Sequence, residues 1–249
     1  MQTLKTIYPI LFSFVFSSPV FAQKQGKETE RQKNNIVKLN LSALVFKNIS
    51  VQYERKVAKS ISVAANVHYI PFGKLPFLSS IQKAIDDPNV PVDQFKLGGF
   101  GFTPEIRFYV GRKGALRGFY IAPFANYTKY KTGLPINYSA KTGIFTGNIT
   151  SLTGGLLLGA QFKLGKSLYL DWWIIGPNYG SAKGGLNLTT TLSAMEQTEL
   201  RNEIEALKAD APFDKLIESY TVSSTGAFIN AKGPWAGLRG LGINLGIRF

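Results

Sequence analysis

The sequence contains no cysteine and only one histidine. Without cysteine the chain can form neither a disulfide scaffold nor a thiolate metal site, and it offers no cysteine nucleophile. Most zinc sites and related catalytic sites need two or three imidazoles, so one histidine leaves little room for them. We therefore expect no metal ion and no cofactor.

Charged residues and long apolar runs are also scarce. Charged residues make up 18% of the chain and hydrophobic residues 45%, with a mean hydropathy of +0.01. Beyond residue 22 no stretch of 18 apolar residues occurs, which excludes helical membrane spans. Aromatic residues reach 13%, which excludes a disordered chain. A sheet with one face in lipid and the other in water would have this average composition.

The first 22 residues have the features of a secretory signal peptide. A basic Lys5 precedes an apolar run over residues 7–16, and Val20-Phe21-Ala22 forms a cleavage site of the small-x-small type. The apolar run is too short to span a bilayer. Residues 23–35 are polar and should form a disordered tail, which leaves residues 36–249 as the folded part. We expect a protein secreted across the inner membrane with a cleaved signal peptide.

The last segment of the chain alternates strictly between large apolar and small or polar residues. The apolar set contains Leu241, Ile243, Leu245, Ile247 and Phe249, and three glycines occur in the opposite set. Large residues facing lipid and glycines facing inward are typical of a narrow membrane barrel. By the same alternation Arg239 would point outward with Trp235 just above it, where both would contact lipid at the outer interface.

Seven further segments read as strands. Residues 37–45, 49–54, 61–69, 99–108, 151–163 and 168–174 alternate in the same way, and residues 117–131 are strand-like. Short connections alternate with longer ones, which is the pattern of outer-membrane barrels with short periplasmic turns. The sequence therefore predicts an all-β fold, an antiparallel up-and-down transmembrane β-barrel of eight strands.

The last long connection, residues 178–235, is too long for a bare loop. Ser193 and Glu196 form a capping box, and an apolar stripe follows at helical spacing, which predicts one helix over residues 194–209. Residues 184–192 and 219–231 look extended, so ten strands are the alternative, with the helix then in the periplasm. Eight is preferred because residues 219–231 place serine or glycine where a lipid-facing strand needs large apolar residues.

The few acidic residues on the predicted strands all face inward. They are Glu54, Glu105 and Asp171, and four bases share their parity and depth, namely Lys38, Arg107, Lys163 and Arg248. Because an uncompensated buried charge is costly, these groups should pair into an ion-pair plug that closes the lumen towards the periplasm. The alternative is that the same charges line a water-filled channel.

The remaining candidate for chemistry is His68, which lies on the inward face near the outer end of its strand. A lone histidine beside Asn66 and Tyr69 favours a hydrogen-bonded lumen residue, and any ligand space would lie near it. The net charge of +14, from 29 basic and 15 acidic residues, is concentrated in turns, loops and the tail. This distribution favours contact with outer-membrane lipid and lipopolysaccharide phosphates, and no nucleic acid is expected.

Several stretches together resemble a known family. Residues 35–44, 48–55, 171–180, 192–207 and 232–249 resemble Gram-negative outer-membrane barrels, in the family catalogued as domain of unknown function 3575. The resemblance implies an outer-membrane β-barrel and brings no assigned activity. A terminal Phe249 on an alternating strand is the usual insertion signal of such barrels, so the barrel-insertion machinery is an expected partner.

Three function classes follow from these observations. A structural or surface-interaction barrel leads, because side chains can fill the interior of eight strands. A small passive pore is the first alternative. A barrel enzyme acting on lipid through His68 is the second, although we expect no enzyme. The sequence leaves the oligomeric state open.

Overall fold

The computed structural model describes residues 33–74, 76, 94–210 and 213–249. The predicted signal peptide and most of the predicted N-terminal tail lie outside these residues. The strands are β1 (Asn35–Asn40), β2 (Ile49–Lys56), β3 (Ile61–Lys74), β4 (Lys96–Tyr109), β5 (Gly118–Tyr138), β6 (Lys141–Lys163), β7 (Leu168–Ile175), β8 (Pro177–Thr189), β9 (Ile217–Ser223), β10 (Gly226–Leu238) and β11 (Gly242–Arg248). The helices are α1 (Leu41–Val45) and α2 (Ala194–Ala209), with a short 3-10 turn at Phe213–Lys215.

Eight strands close into an antiparallel barrel. Strands β1 to β7 and β11 form a ring, because β11 pairs with both β1 and β7, and β5 pairs with β6. The short turns β2–β3, β4–β5 and β6–β7 lie at one end, called the short-turn end. The other end, called the long-loop end, carries the connection β1–β2, the longer connections β3–β4 and β7–β11, and the two-residue turn between β5 and β6. This ring confirms the eight-stranded prediction and excludes the ten-stranded alternative.

The two faces of the barrel wall differ as the alternation predicted. Large apolar side chains cover the outside, including Val51 (42% exposed), Phe102 (42%), Ile106 (45%), Leu156 (48%) and Ile243 (46%). The inside carries buried polar and charged side chains. The wall is therefore apolar outside and polar inside, the reverse of a water-soluble barrel.

The predicted strand over residues 37–45 is wrong beyond residue 40. Strand β1 ends at Asn40, whose side chain accepts a hydrogen bond from the Ala43 backbone N–H at 2.9 Å and caps α1. Asparagine is among the best N-cap residues, so the local cap ends the alternating pattern here.

Beyond the barrel wall, the long-loop end carries an extension that we call the crown. It consists of β8, β9, β10, α2 and the outer ends of β5 and β6. Helix α2 begins and ends as predicted, with the capping box at Ser193 in place, and it buries Leu200 and Ile204 against the crown strands. No helix among the described residues is long and apolar enough to cross a membrane.

Two neighbouring breaks in the strands, one between β7 and β8 and one between β10 and β11, separate the crown from the barrel. Strand β7 passes into β8 at Gly176, and β10 passes into β11 through residues 239–241, where Leu241 has a φ of 53°. The Arg239 backbone N–H donates to the Gly176 carbonyl at 2.8 Å, so the two breaks lie side by side. Odd-numbered residues point outward in β11 but inward in β10, as the burial of Ile229 and Ala231 demonstrates.

Candidate functional site in the barrel interior

A network of buried ion pairs crosses the interior in the half nearer the short-turn end. Lys38 Nζ on β1 lies 2.6 Å from Asp171 Oδ2 on β7 and also binds the Glu54 carboxylate on β2. All three side chains are at most 1% exposed. The first strand of the chain is thereby joined to its direct neighbour and to a strand that follows more than a hundred residues later.

Arg107 on β4 is the hub of this network. Its Nε lies 2.5 Å from Glu105 Oε1, and its Nη1 lies 2.7 Å from Asp171 Oδ2 and 3.2 Å from Glu54 Oε2. A guanidinium presents several donors in a fixed plane, which lets one side chain bind three carboxylates. Arg107 reaches across the lumen and occupies its centre.

Neutral side chains satisfy the remaining donors and acceptors. Gln52 accepts from Arg107 Nη2 at 2.8 Å and donates to Glu105 at 3.0 Å. Tyr109 donates to Glu54 at 2.6 Å, and Tyr120 donates to Asp171 at 2.7 Å. These partners are not among the predicted site residues, because inward parity is the only signal of them in the sequence.

An apolar layer lies beneath the ion pairs. The β4–β5 turn folds inward, so that Leu116 is fully buried and its carbonyl accepts from Gln161 Nε2 at 3.0 Å. Leu116 belongs to one buried cluster with Ile36, Tyr109 and Tyr169. Apolar packing therefore accompanies the buried ion pairs near the short-turn end.

Two of the bases predicted for the ion-pair network, Lys163 and Arg248, lie outside it. Lys163 is the last residue of β6 and is exposed, so its ammonium stays in solvent. Arg248 is near the short-turn end, where its Nη1 donates to Tyr169 Oη at 2.7 Å and its Nε to the Lys33 carbonyl at 2.5 Å. Both share the inward parity, but they lie nearer the end of the barrel than the acids.

Arg239, which was expected to contact lipid, points into the lumen instead. Its Nη1 binds the Glu105 carboxylate, and its guanidinium lies 4.1 Å from the centre of the Trp173 ring. The break at residues 239–241 reverses the parity that the prediction carried over from β11. Trp235 is also turned inward, with its ring centre 5.7 Å from that of Tyr130. The prediction of an outer-interface contact is wrong for both residues.

With Arg239 added, the buried charges balance. We call Lys38, Glu54, Glu105, Arg107, Asp171 and Arg239 the charge cluster. It contains three bases and three acids, and each acid contacts at least one base. Such a network needs no counter-ion from outside the chain.

His68 lies above the charge cluster, in a polar cavity of about 220 Å³. Five asparagines are among the residues that line the cavity, including Asn40, Asn66, Asn126 and Asn178. His68 makes no hydrogen bond to a hydroxyl or carboxylate side chain of the described residues, so no triad is assembled around it there. No group of three or more His, Asp or Glu side chains in the described ranges is placed to hold a metal ion.

Comparison with known proteins gives one result. No curated protein and no solved structure matches the chain. A family model matches residues 11–183, a span that ends within β8 and leaves α2 and β9 to β11 outside the match. The matched span covers more than half of the 249 residues and includes seven of the eight barrel strands. The chain therefore belongs to the family described as "Protein of unknown function (DUF3575)".

Proposed function

We propose that this protein is an integral outer-membrane barrel of a Gram-negative cell, with a plugged lumen and a crown that acts in surface interactions. The observation that carries the proposal is the belt of large apolar side chains on the outside of the closed wall. Apolar patches of this extent are costly in water and are normal where a barrel faces lipid. The predicted signal peptide and the terminal Phe249 are consistent with export and insertion.

A row of lysines supports contact with lipid phosphates at the long-loop end. Register places Lys129 opposite Thr150, Thr150 opposite Lys183, and Lys183 opposite Lys232. The three lysines are exposed on the outside, just above the apolar belt. Like charges directly opposite each other on a sheet are destabilising. Lys232 pairs with Glu218 at 3.2 Å, which leaves Lys129 and Lys183 without an acidic partner among the described residues, so the row favours an anionic partner such as lipopolysaccharide.

The plug rests on the charge cluster and the apolar layer beneath it. Arg107 and Lys38 are among the largest fully buried side chains of the described residues, and both lie across the lumen. A passive pore would need a continuous water path through this level. The structural and surface role is therefore favoured over the pore, and we infer no enzymatic role for His68.

Two substitutions at exposed apolar positions, one on the belt and one on the crown, test the membrane location. Ile106 is on the belt and is 45% exposed, whereas Met195 is on α2 and is 68% exposed. In lipid, Ile106→Asp should abolish insertion or cost about 2–4 kcal/mol, and Met195→Asp should have little effect. Outer-membrane fractionation and refolding into vesicles measure both. Equal tolerance of the two aspartates would contradict the membrane location.

Planar-bilayer recordings test the plug. We expect negligible conductance for the unmodified protein and measurable conductance for Arg107→Ala, which removes the hub side chain. A steady open channel in the unmodified protein would overturn the plug and favour the pore.

A further inference from the structure

The outer half of the interior contains two adjoining cavities of opposite character. The larger one, about 470 Å³, is lined almost entirely by apolar side chains of β5, β6, β8, β10 and the segment around residues 213–217. Its lining includes Leu134, Ile149, Leu186 and Ile229. The volume falls within the range of roughly 300–1,000 Å³ that is usual for small-molecule sites. Cavities with such apolar walls stay dry and accept apolar ligands.

The smaller cavity is the polar one that contains His68. Tyr130 and Trp235 line both cavities, so the two spaces meet at this aromatic pair. The charge cluster closes the polar cavity from below, where Arg239 and Trp173 form part of its lining. A molecule filling both spaces would have an apolar part towards the crown and a polar part towards the charge cluster.

Two buried polar atoms of residues that line the polar cavity have no hydrogen-bond partner among the described residues. They are Asn48 Oδ1, which accepts, and Arg239 Nη2, which donates. Leaving buried groups unpaired costs free energy, and each such group calls for an explanation, of which a bound polar molecule is one. Both atoms have almost no accessible surface, so a head group that donates and accepts would pair with them once their side chains turn towards the cavity.

The charge balance decides the class of head group. Arg239 already pairs with Glu105, and the charge cluster contains equal numbers of acids and bases. An anionic head would therefore add an uncompensated charge to a buried site, which is expensive. A neutral hydroxyl or amide can accept from Arg239 and donate to Asn48 without upsetting this balance.

We propose that the two cavities form one binding site for a neutral amphiphile, with a hydrocarbon chain in the apolar cavity and a hydroxyl or amide head in the polar cavity. This inference goes beyond the proposed function and does not depend on which membrane holds the barrel.

Quenching of tryptophan fluorescence by a bromine-labelled undecanol tests the proposal, because Trp173 and Trp235 both line the polar cavity. The full chain carries Trp172→Phe, because Trp172 is exposed on the outside and would report probe dissolved in the lipid. The protein is reconstituted in vesicles, and we expect saturable quenching. Asn48→Leu should weaken the probe's affinity at least tenfold, and the same chain with a carboxylate head should bind at least tenfold more weakly than the alcohol.

Variants that fill the apolar cavity provide the second part of the quenching experiment. Leu134→Phe with Ile229→Phe narrows the apolar cavity and should abolish saturable quenching. Leu152→Phe with Leu158→Phe places the same side chains on the outer face and should leave quenching unchanged. Unsaturable quenching in every variant would overturn the site, and carboxylate binding as tight as the alcohol would overturn the neutral head. The Ile106→Asp experiment separately tests the membrane location, so failure of the binding site can be distinguished from failure of the proposed function.

Discussion

The guanidinium of Arg239 lies over the indole ring of Trp173, with its central carbon 4.1 Å from the ring centre. The two residues come from the neighbouring breaks at which β7 meets β8 and β10 meets β11. Contact of this kind stabilises a cation by about 0.5–2 kcal/mol, more when water is excluded. The break in the strand thus places a charged residue inside the lumen although the alternation of β11 points it outward.

The first prediction follows from the change of strand parity at residues 239–241. Nitroxide labels at Leu241→Cys and Leu245→Cys should collide readily with oxygen dissolved in lipid, because both native side chains point outward. A label at Arg239→Cys should be shielded from oxygen, since the native residue faces the lumen. Power-saturation electron paramagnetic resonance measures this difference. A lipid-exposed signal at residue 239 would contradict the break.

The second prediction concerns the stability of the charge cluster. Asp171 accepts from Lys38, Arg107, Tyr120 and Trp173. Asp171→Ala leaves two bases without this carboxylate and should lower the free energy of unfolding by about 3–5 kcal/mol. Urea unfolding followed by tryptophan fluorescence measures the loss. The exposed Asp214 is the matched control, and Asp214→Ala should change stability by less than about 0.5 kcal/mol.

The third prediction concerns Gly159, which leaves room for Tyr120. A Cβ at residue 159 would lie 2.3 Å from the Tyr120 hydroxyl oxygen, whereas a Cβ at Gly154 would come no closer than 3.9 Å to its neighbours. Gly159→Val should displace Tyr120 from Asp171 and cost about 1–3 kcal/mol. Gly154→Val lies on the same strand with an outward side chain and should be tolerated. Thermal unfolding of the two variants checks this, and equal losses would count against the packing.

The fourth prediction is a pH dependence of α2. The Lys141 ammonium, 2.5 Å away, and the Ser193 backbone and hydroxyl lower the pKa of Glu196 to about 2. A lowered pKa means that the unfolded helix binds protons more readily, so this stabilisation is complete above pH 4.5 and is lost as the pH falls towards 2.

Hydrogen exchange of the α2 amides between pH 6 and pH 2 measures the effect once intrinsic exchange is corrected for. Protection should fall below pH 4.5, and Glu196→Gln should make protection nearly independent of pH in this window. Unchanged protection of the native helix at pH 2 would show that the capping box does not hold α2.

Much of the barrel could be predicted because alternation assigns each residue of a strand to one face of the wall. The large apolar residues mark the outer face, so the parity of Glu54, Glu105 and Asp171 predicts all three inside without any knowledge of contacts. The helix α2 could be predicted to the residue because its capping box and apolar stripe are local signals.

The errors occurred where tertiary structure overrides local alternation. Leu241 adopts a positive φ that is rare for a leucine, and nothing in the sequence marks the resulting change of parity at Arg239. Lys163 and Arg248 were placed at the wrong depth because alternation gives the side of a strand but not its height in the barrel. The crown strands carry serine, threonine and glycine on the outside, so their alternation does not distinguish barrel strands from strands beyond the barrel.

The charge cluster draws its members from both ends of the chain. Lys38 lies on the first strand, and Arg239 immediately precedes the last one. During assembly the acids of the middle strands therefore remain without their full set of counter-charges until the final strand has joined the first. Closure of the wall and neutralisation of the interior coincide, so a chain halted before its last strand would carry unpaired charges on an open sheet.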